Sequence, residues 1–187
     1  DQTTDTPTNN FATLNPLDGN YVDGAGVPSL TNGNTVSINT ASYRLAFSTI
    51  GINKGKWYFE FKYSGTPNNW NSGGFGDSLI GATSLRLYRS SDGNYFDGTN
   101  YTSYGASYAA GDIIGVAYDA DNDTLIFYKS GVSQGTKTSV GLNSNLSFAV
   151  VGIYDSGSDI LTNFGNPSFT ISSGNTDGNG YGNFEYA

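Results

Sequence analysis

The sequence predicts an all-β fold, an antiparallel β-sandwich formed by one domain over residues 1–187, and three observations predict it. The chain holds 26 Gly, 14 Tyr and 11 Phe among its 187 residues, a mixture that suits short strands joined by tight turns. Its apolar residues alternate with a period of two, and no segment keeps a helical period beyond a turn or two. The apolar runs are short and recur between turn dipeptides, as two packed layers of strands require. A chain of this length buries most of the surface its unfolded form exposes without a second core.

Residues 1–35 form a turn-rich lead-in, with LNPLDG, VDGAG and NGN, read as ordered loops with one edge strand. The first strong strand is KWYFEFKY. Trp57, Phe59, Phe61 and Tyr63 fall on its core face, and Tyr58, Glu60 and Lys62 on a wetter one. Glu60 is expected to pair across strands with a Lys or Arg. The polar SGTPNNWNSGGFGDS reads as a long loop, and SLIGATSLRLYRS as a strand interrupted by a glycine. YFDGTNYTSYGASYAAGD alternates aromatics with turn signals and reads as a meandering hairpin region. GDIIGVAYD and TLIFYKSG are two short strands around a turn. After a polar connection, LSFAVVGIY and ILTNFGNPSF give the last clear pair. Residues 172–187 form a Gly- and Asn-rich tail read as running over the surface, with Phe184 or Tyr186 tucked back as an anchor. The tail is also a place where a longer protein could have been cut.

The formal charge is −8, from 8 basic and 16 acidic residues. It repels a phosphate backbone or an anionic leaflet, so neither nucleic acid nor membrane is an expected partner. Cys, His and Met are absent, which removes zinc fingers, disulfide frameworks, blue-copper sites and haem ligation. No cofactor is expected. The start, DQTTDTPTNN, lacks the basic and apolar regions of a signal peptide, and since residue 1 is not Met the chain is expected to have been processed or cut from something longer.

The turn DADND places Asp119, Asp121 and Asp123 at alternate positions, which could mean a calcium loop, paired catalytic acids or a hairpin turn. A calcium loop of the EF-hand type needs Gly at its sixth place and Glu at its twelfth. Thr124 and Ser130 stand there, and a β-branched, aromatic strand follows instead of a helix. Glycoside cleavage needs two carboxyl groups roughly 5–10 Å apart, one in an apolar setting, an asymmetry that three acids on one turn lack. Glu occurs only at Glu60 and Glu185. Without His a serine nucleophile lacks its ordinary base, and no spacing singles out Lys54, Lys56, Lys62, Lys129 or Lys137 for a Ser–Lys pair. NSGGFG lacks the Lys and Ser/Thr of a phosphate loop. The sequons at Asn100, Asn122 and Asn145 are what chance gives in so Asn- and Ser-rich a chain. The favoured reading is a turn closed by Asx hydrogen bonds, with its charges in solvent.

The same stretch, GDIIGVAYDADNDTLIFYKSGVSQG, resembles the central signature of the SPRY family. Other blocks agree in order: GKWYFEF with the family's early strand, SLIGAT with the apolar-Gly strand after it, YGASYAAGD with the lead into the central block, and LTNFGNPSF with its close. The likeness runs from about residue 45 to 170. It implies a bent sandwich of concanavalin-like jelly-roll architecture that acts as a protein-interaction module and not as an enzyme, gripping its ligand with loops at one end. The opening DTPTNNFATLNP is similar to the lead-in of SPRY-type domains of bacteriophage structural proteins. A virion or tail-associated, or otherwise extracellular, location is the expectation drawn from it.

Recognition by preorganised loops would use aromatics for contact area at low entropic cost and Asn, Ser and Thr for adjustable hydrogen bonds. The candidates are Tyr43 and Arg44 before the first strong strand, Asn69, Trp70 and Phe75 in the long loop, Tyr101 and Tyr104 in the aromatic loop, and Tyr154 and Asp155 after the penultimate strand. For each the alternative is core packing or loop anchoring, and Trp70 leads. The expected partner is a protein, either a virion component or a host receptor. A surface glycan held lectin-fashion is the alternative. A glycan-cleaving enzyme stands behind both, because the Glu-x-Asp-x-x-Glu motif of concanavalin-like glucanases is missing where Glu60 is followed by Phe61 and Lys62. A homo-oligomer built through a β-edge or the tail is compatible with the sequence.

Overall fold

The structure, a computed structural model, describes residues 10–18, 26, 28–38, 42–65, 70–77, 82–154 and 157–187. Among these the chain forms β1 (Ser29–Thr31), β2 (Val36–Ile38), β3 (Arg44–Ile52), β4 (Lys56–Gly65), β5 (Ser72–Gly76), a 3-10 turn (Ala82–Ser84), β6 (Arg86–Arg89), β7 (Asn94–Phe96), β8 (Tyr101–Ser103), β9 (Ile113–Asp119), β10 (Thr124–Lys129), β11 (Val132–Thr138), β12 (Ser147–Ile153) and β13 (Ser158–Asn163). Seven strands make one sheet in the order β1-β2-β13-β4-β9-β10-β11. Six make the other, β3-β12-β5-β6-β7-β8. Neighbours are antiparallel throughout. Among the described residues no helix is long and apolar enough to cross a membrane.

The core lies between the sheets because the period-two pattern delivers it there. Phe59, Phe61 and Tyr63 of β4, Ile114, Val116 and Tyr118 of β9 and Leu125 and Phe127 of β10 meet Phe75, Tyr88, Ala149 and Val151 of the second sheet. The rings interlock edge to face, Phe59 on Phe75 at 5.6 Å and Phe61 on Tyr63 at 5.9 Å between centroids. Leu45, Phe47, Leu87 and Val150 alternate with inward residues of the second sheet, yet they too are buried, in a separate cluster with Leu85. The second sheet is therefore apolar on both faces over part of its area.

Several expectations need correction. Ser72–Gly76, read as loop, is a fully buried central strand. Its glycines argue against a strand by propensity, but a Cβ at Gly73 would collide with the Phe61 ring, so the residue that looks like a loop former is what lets the sheets approach. RLAFSTIGI, left without an element, is the nine-residue β3, and Arg44 begins it. VSQGTKT, read as a polar connection, is the mostly exposed edge strand β11. The strand read in SLIGATSLRLYRS is confined, among described residues, to Arg86–Arg89. Two errors fall on β4. Trp57, assigned to the core, is 44% exposed at the strand's start. Glu60, assigned to the wet face and to a basic partner, is fully buried.

Glu60 is buried because the tail covers it. Its carboxylate accepts from the Tyr58 hydroxyl at 3.0 Å, the Asn163 side-chain amide at 2.9 Å, and the backbone N–H groups of Glu185 at 3.0 Å and Tyr186 at 2.7 Å. Asn163 also donates to the Asn183 carbonyl, and Phe184, buried, meets Tyr58 edge to face at 5.3 Å. Phe184 is thus the anchor; Tyr186 stays 36% exposed, its ring against Gly131.

Candidate functional site

The site is set by the strand register at one end of the second sheet. Pairing aligns Leu45, Gly152, Ser72 and Arg89 in one row across β3, β12, β5 and β6. A neighbouring row runs Phe47, Val150, Gly74, Leu87, Phe96 and Tyr101. Both rows belong to the outward face, so this face passes from a buried apolar patch to Arg89 and Tyr101 at its β8 margin. Tyr43 lies across Gly152, where a Cβ would collide with its ring, and its hydroxyl is 2.9 Å from the Ser72 Oγ. Burial raises the Tyr43 pKa well above the usual phenol value, so this hydroxyl stays neutral at any physiological pH.

Arg89 is the centre of the arrangement. Its guanidinium carbon lies 3.9 Å from the Tyr101 ring centroid and 5.2 Å from that of Trp70, within cation–π range of both. The two rings meet edge to face at 6.1 Å, and Tyr101 packs on Phe96 at 4.7 Å. Asp92 grips the guanidinium from the side, accepting from Nε at 3.0 Å and also from the terminal Nη2. That fork, with Asn94 donating to the same carboxylate, holds Asp92 below the ordinary carboxylate range and raises Arg89 further. The charges cancel locally. Trp70 and Tyr101 remain 44% and 38% exposed, so two rings are held in fixed orientations with surface to spare.

A buried amide holds this end together. The Asn71 side chain accepts from Tyr154 N–H at 2.9 Å and donates to Ser158 Oγ at 3.3 Å, while its carbonyl accepts from Ser90 N–H at 2.9 Å. One residue thereby fixes the positions of its neighbour Trp70, of Tyr154 after β12 and of the turn that follows Arg89.

The structure divides the sequence candidates. Trp70 and Tyr101 come together, Tyr43 lies on the same outward face over Gly152, and Tyr154, 38% exposed, shares their end of the sandwich. Arg44 pairs with Ile153 at the same end. Asn69 and Asp155 lie outside the described residues. Phe75 is a correction: it is 3% exposed, in the core against Phe59 and Tyr118, because alternation from Ser72 turns it inward. Tyr104 is another. It packs on Tyr88, Tyr95 and Phe127, donates its hydroxyl to the Gly135 carbonyl and accepts from Phe127 N–H, so it ties β8 to the other sheet. Sequence reasoning missed Arg89, Asp92, Phe96 and Asn71. The signal for Arg89 was present in RLYR, where a core-facing Tyr88 puts Arg89 on the opposite face.

The DADND turn resolves into Asx bonds. Asp119 accepts from the N–H groups of Asp121 and Asn122 and from the Asn122 side chain. Asp121 accepts from Gly55 N–H. Asp123, expected in solvent, is half-buried; it accepts from Gly141 and Leu142 N–H at 2.7 and 3.1 Å and binds the turn to the segment before β12. The three carboxylates diverge onto three different partners.

At the far end of β4, Trp57, Ile50, Phe164, Tyr181 and Phe184 line a cavity of about 1250 Å³. Part of its wall is the tail itself. The Trp57 indole N–H is bonded to the Lys54 carbonyl at 2.7 Å.

The SPRY domain model matches residues 56–167. The chain is 35% identical over 83 residues to the dual specificity protein kinase splA of Dictyostelium discoideum, an alignment covering 42% of this chain and 3% of that protein. In structure it is similar to the SPRY domain of human HERC1, with a TM-score of 0.68 at 17% identity, covering 80% of this chain and 96% of that one. A second human SPRY domain gives 0.59 at 17% identity over 71% and 92%. Stonustoxin gives 0.61 at 18% identity over 82% of this chain and 27% of its own. At these identities the structural likeness speaks for the fold.

Proposed function

The chain belongs to the SPRY domain family, whose members are protein-interaction modules, and from that premise we propose that it binds a partner protein through the Trp70–Arg89–Tyr101 face without making or breaking a covalent bond. The observation that carries this reading is the clamp. A guanidinium set in the corner of two half-exposed rings that meet edge to face, and pinned by Asp92, keeps those rings in one orientation before any partner arrives. Rigid aromatics beside an arginine are the residue types that dominate binding energy at protein interfaces, and preorganisation lowers the ordering cost of association. A virion or extracellular setting belongs to the same proposal. What supports it is the phage-like lead-in DTPTNNFATLNP, and labelling of purified particles with an antibody to the chain tests it.

The experiment is selection from a displayed short-peptide library against the whole chain, followed by Trp70→Ala and Tyr101→Ala variants of unchanged thermal midpoint. Loss of about tenfold or more in affinity for each variant is the expected result. Selected peptides that bind both variants as well as the parent overturn the reading. Binding to an array of surface glycans that Trp70→Ala abolishes, with no peptide selected, would replace the protein partner with a sugar.

A further inference from the structure

Sheet edges decide what kind of segment can add to a sandwich, and the edges here differ. The outer edge of β3 is closed by the lead-in: Leu14 bridges Ser48, Asn15 N–H donates to the Phe47 carbonyl and Thr49 N–H to that of Thr13. The edge of β11 carries Lys137, a register shift against β10 and Gly135 at φ +119°, devices that discourage pairing. β1 (Ser29–Thr31) brings no ring to its edge.

β8 differs from β3 and β11 in having, among the described residues, no such cover or device, and from β1 in carrying a ring. Its sequence, YTS, has no charge, proline or glycine, and all three residues are exposed. The hairpin to β7 closes with Asp97 N–H on the Asn100 carbonyl at 3.1 Å. Hydrogen-bonded and non-bonded pairs alternate from there. Thr102, opposite Tyr95, turns its backbone groups toward β7, while Tyr101 and Ser103 turn theirs outward. Outward donors and acceptors on a short, unprotected strand form a template for another strand. Tyr101 is both the first residue of that template and a ring of the clamp.

We infer that the partner presents an extended segment that adds to the second sheet as a strand antiparallel or parallel to β8, bonding the backbone of Tyr101 and Ser103 and laying every second side chain beside the Tyr101 and Trp70 rings. This rests on the proposed function and names the form of the partner. The segment is uncharged or basic with an apolar residue opposite Tyr101, because Arg89 is already matched by Asp92 and the chain as a whole carries −8. The same charge opposes a second copy of this chain as the occupant.

The test takes a selected peptide and methylates its backbone nitrogens one at a time, leaving the protein unaltered. Strand addition predicts a period of two: losses of about tenfold or more at alternate residues and within about twofold at those between. The amides of Tyr101 and Ser103 should exchange more slowly in the complex. Ser103→Pro, which removes an outward donor and no bond to β7, should weaken binding about as much as one methyl group. A flat methylation profile for a peptide that still needs Trp70 overturns strand addition and leaves the aromatic face standing. A library that yields no Trp70-dependent peptide removes both. Sedimentation showing the chain alone as a dimer that Ser103→Pro dissolves overturns the inference in favour of a second copy.

Discussion

The two tryptophans of this chain are equally exposed, 44% each; Trp57 stands at the start of β4 and Trp70 beyond its other end, and the molecule uses the two ends differently. At the Trp57 end the surrounding groups hold the chain to itself. The indole N–H is bonded to its own turn, the tail walls the adjacent cavity, and a buried carboxylate takes two backbone N–H groups of that tail. At the Trp70 end Asn71 ties the backbone beneath the rings, and the charged groups at the surface hold side chains. Arg89 is bonded to Asp92, stacked on Tyr101 and set beside Trp70, and both rings keep exposed surface. Exposure of an aromatic ring therefore does not mark a site by itself. What marks it is whether the neighbouring hydrogen bonds close the surface or only orient it.

Four outcomes would sharpen or break this contrast. The largest concerns the core between the two ends: Phe75→Ala should cost about 3–5 kcal/mol of stability, read by denaturant unfolding, because its ring is buried between Phe59 and Tyr118. A small effect would return Phe75 to the surface. Next, Glu60→Ala leaves the donors of Tyr58, Asn163, Glu185 and Tyr186 without their acceptor. It should cost about 2–4 kcal/mol and speed proteolysis of the tail, without changing Trp70-dependent peptide binding. Coupling between the two would show that the ends are not separate. Third, Trp70→Ala should weaken binding by about 2 kcal/mol while Trp57→Ala changes it by less than about 0.5 kcal/mol, compared by titration calorimetry with one selected peptide.

The smallest effect is on pH. Hydrogen bonding to Arg89 depresses the Asp92 pKa in the folded chain. The clamp's contribution is therefore fully present above the ordinary carboxylate value and is lost only as pH falls through the depressed one. Trp70 fluorescence, recorded in a Trp57→Phe background, should stay constant through the usual aspartate range and change below it. A transition at the ordinary value would mean that Asp92 does not hold Arg89.

Much was legible in advance because it depends on local order. Period-two alternation identified β4, β9, β10 and β12, Asx chemistry identified the Asp119 turn, and the block order led to the family. Trp70 and Tyr101 could be chosen as exposed rings from their polar settings. Phe75 was misjudged because glycines on both sides hide a strand whose fitness is to admit a facing ring, and propensity counts glycine against a sheet. Tyr104 sat in a loop-like sequence, and only the other sheet's Gly135 and Phe127 gave it a structural role.

Residue order alone fixed the class of the fold, the inward stripe Phe59, Phe61 and Tyr63 of β4 and the residue types available for recognition, since these follow from spacing along one segment. Only the assembled fold decided that Arg89, Trp70 and Tyr101 meet, that Glu60 is buried and that β8 ends its sheet among the described strands. Each of those depends on register between segments far apart in the chain, and a one-residue slip in that register would turn every side chain of a strand to the other face.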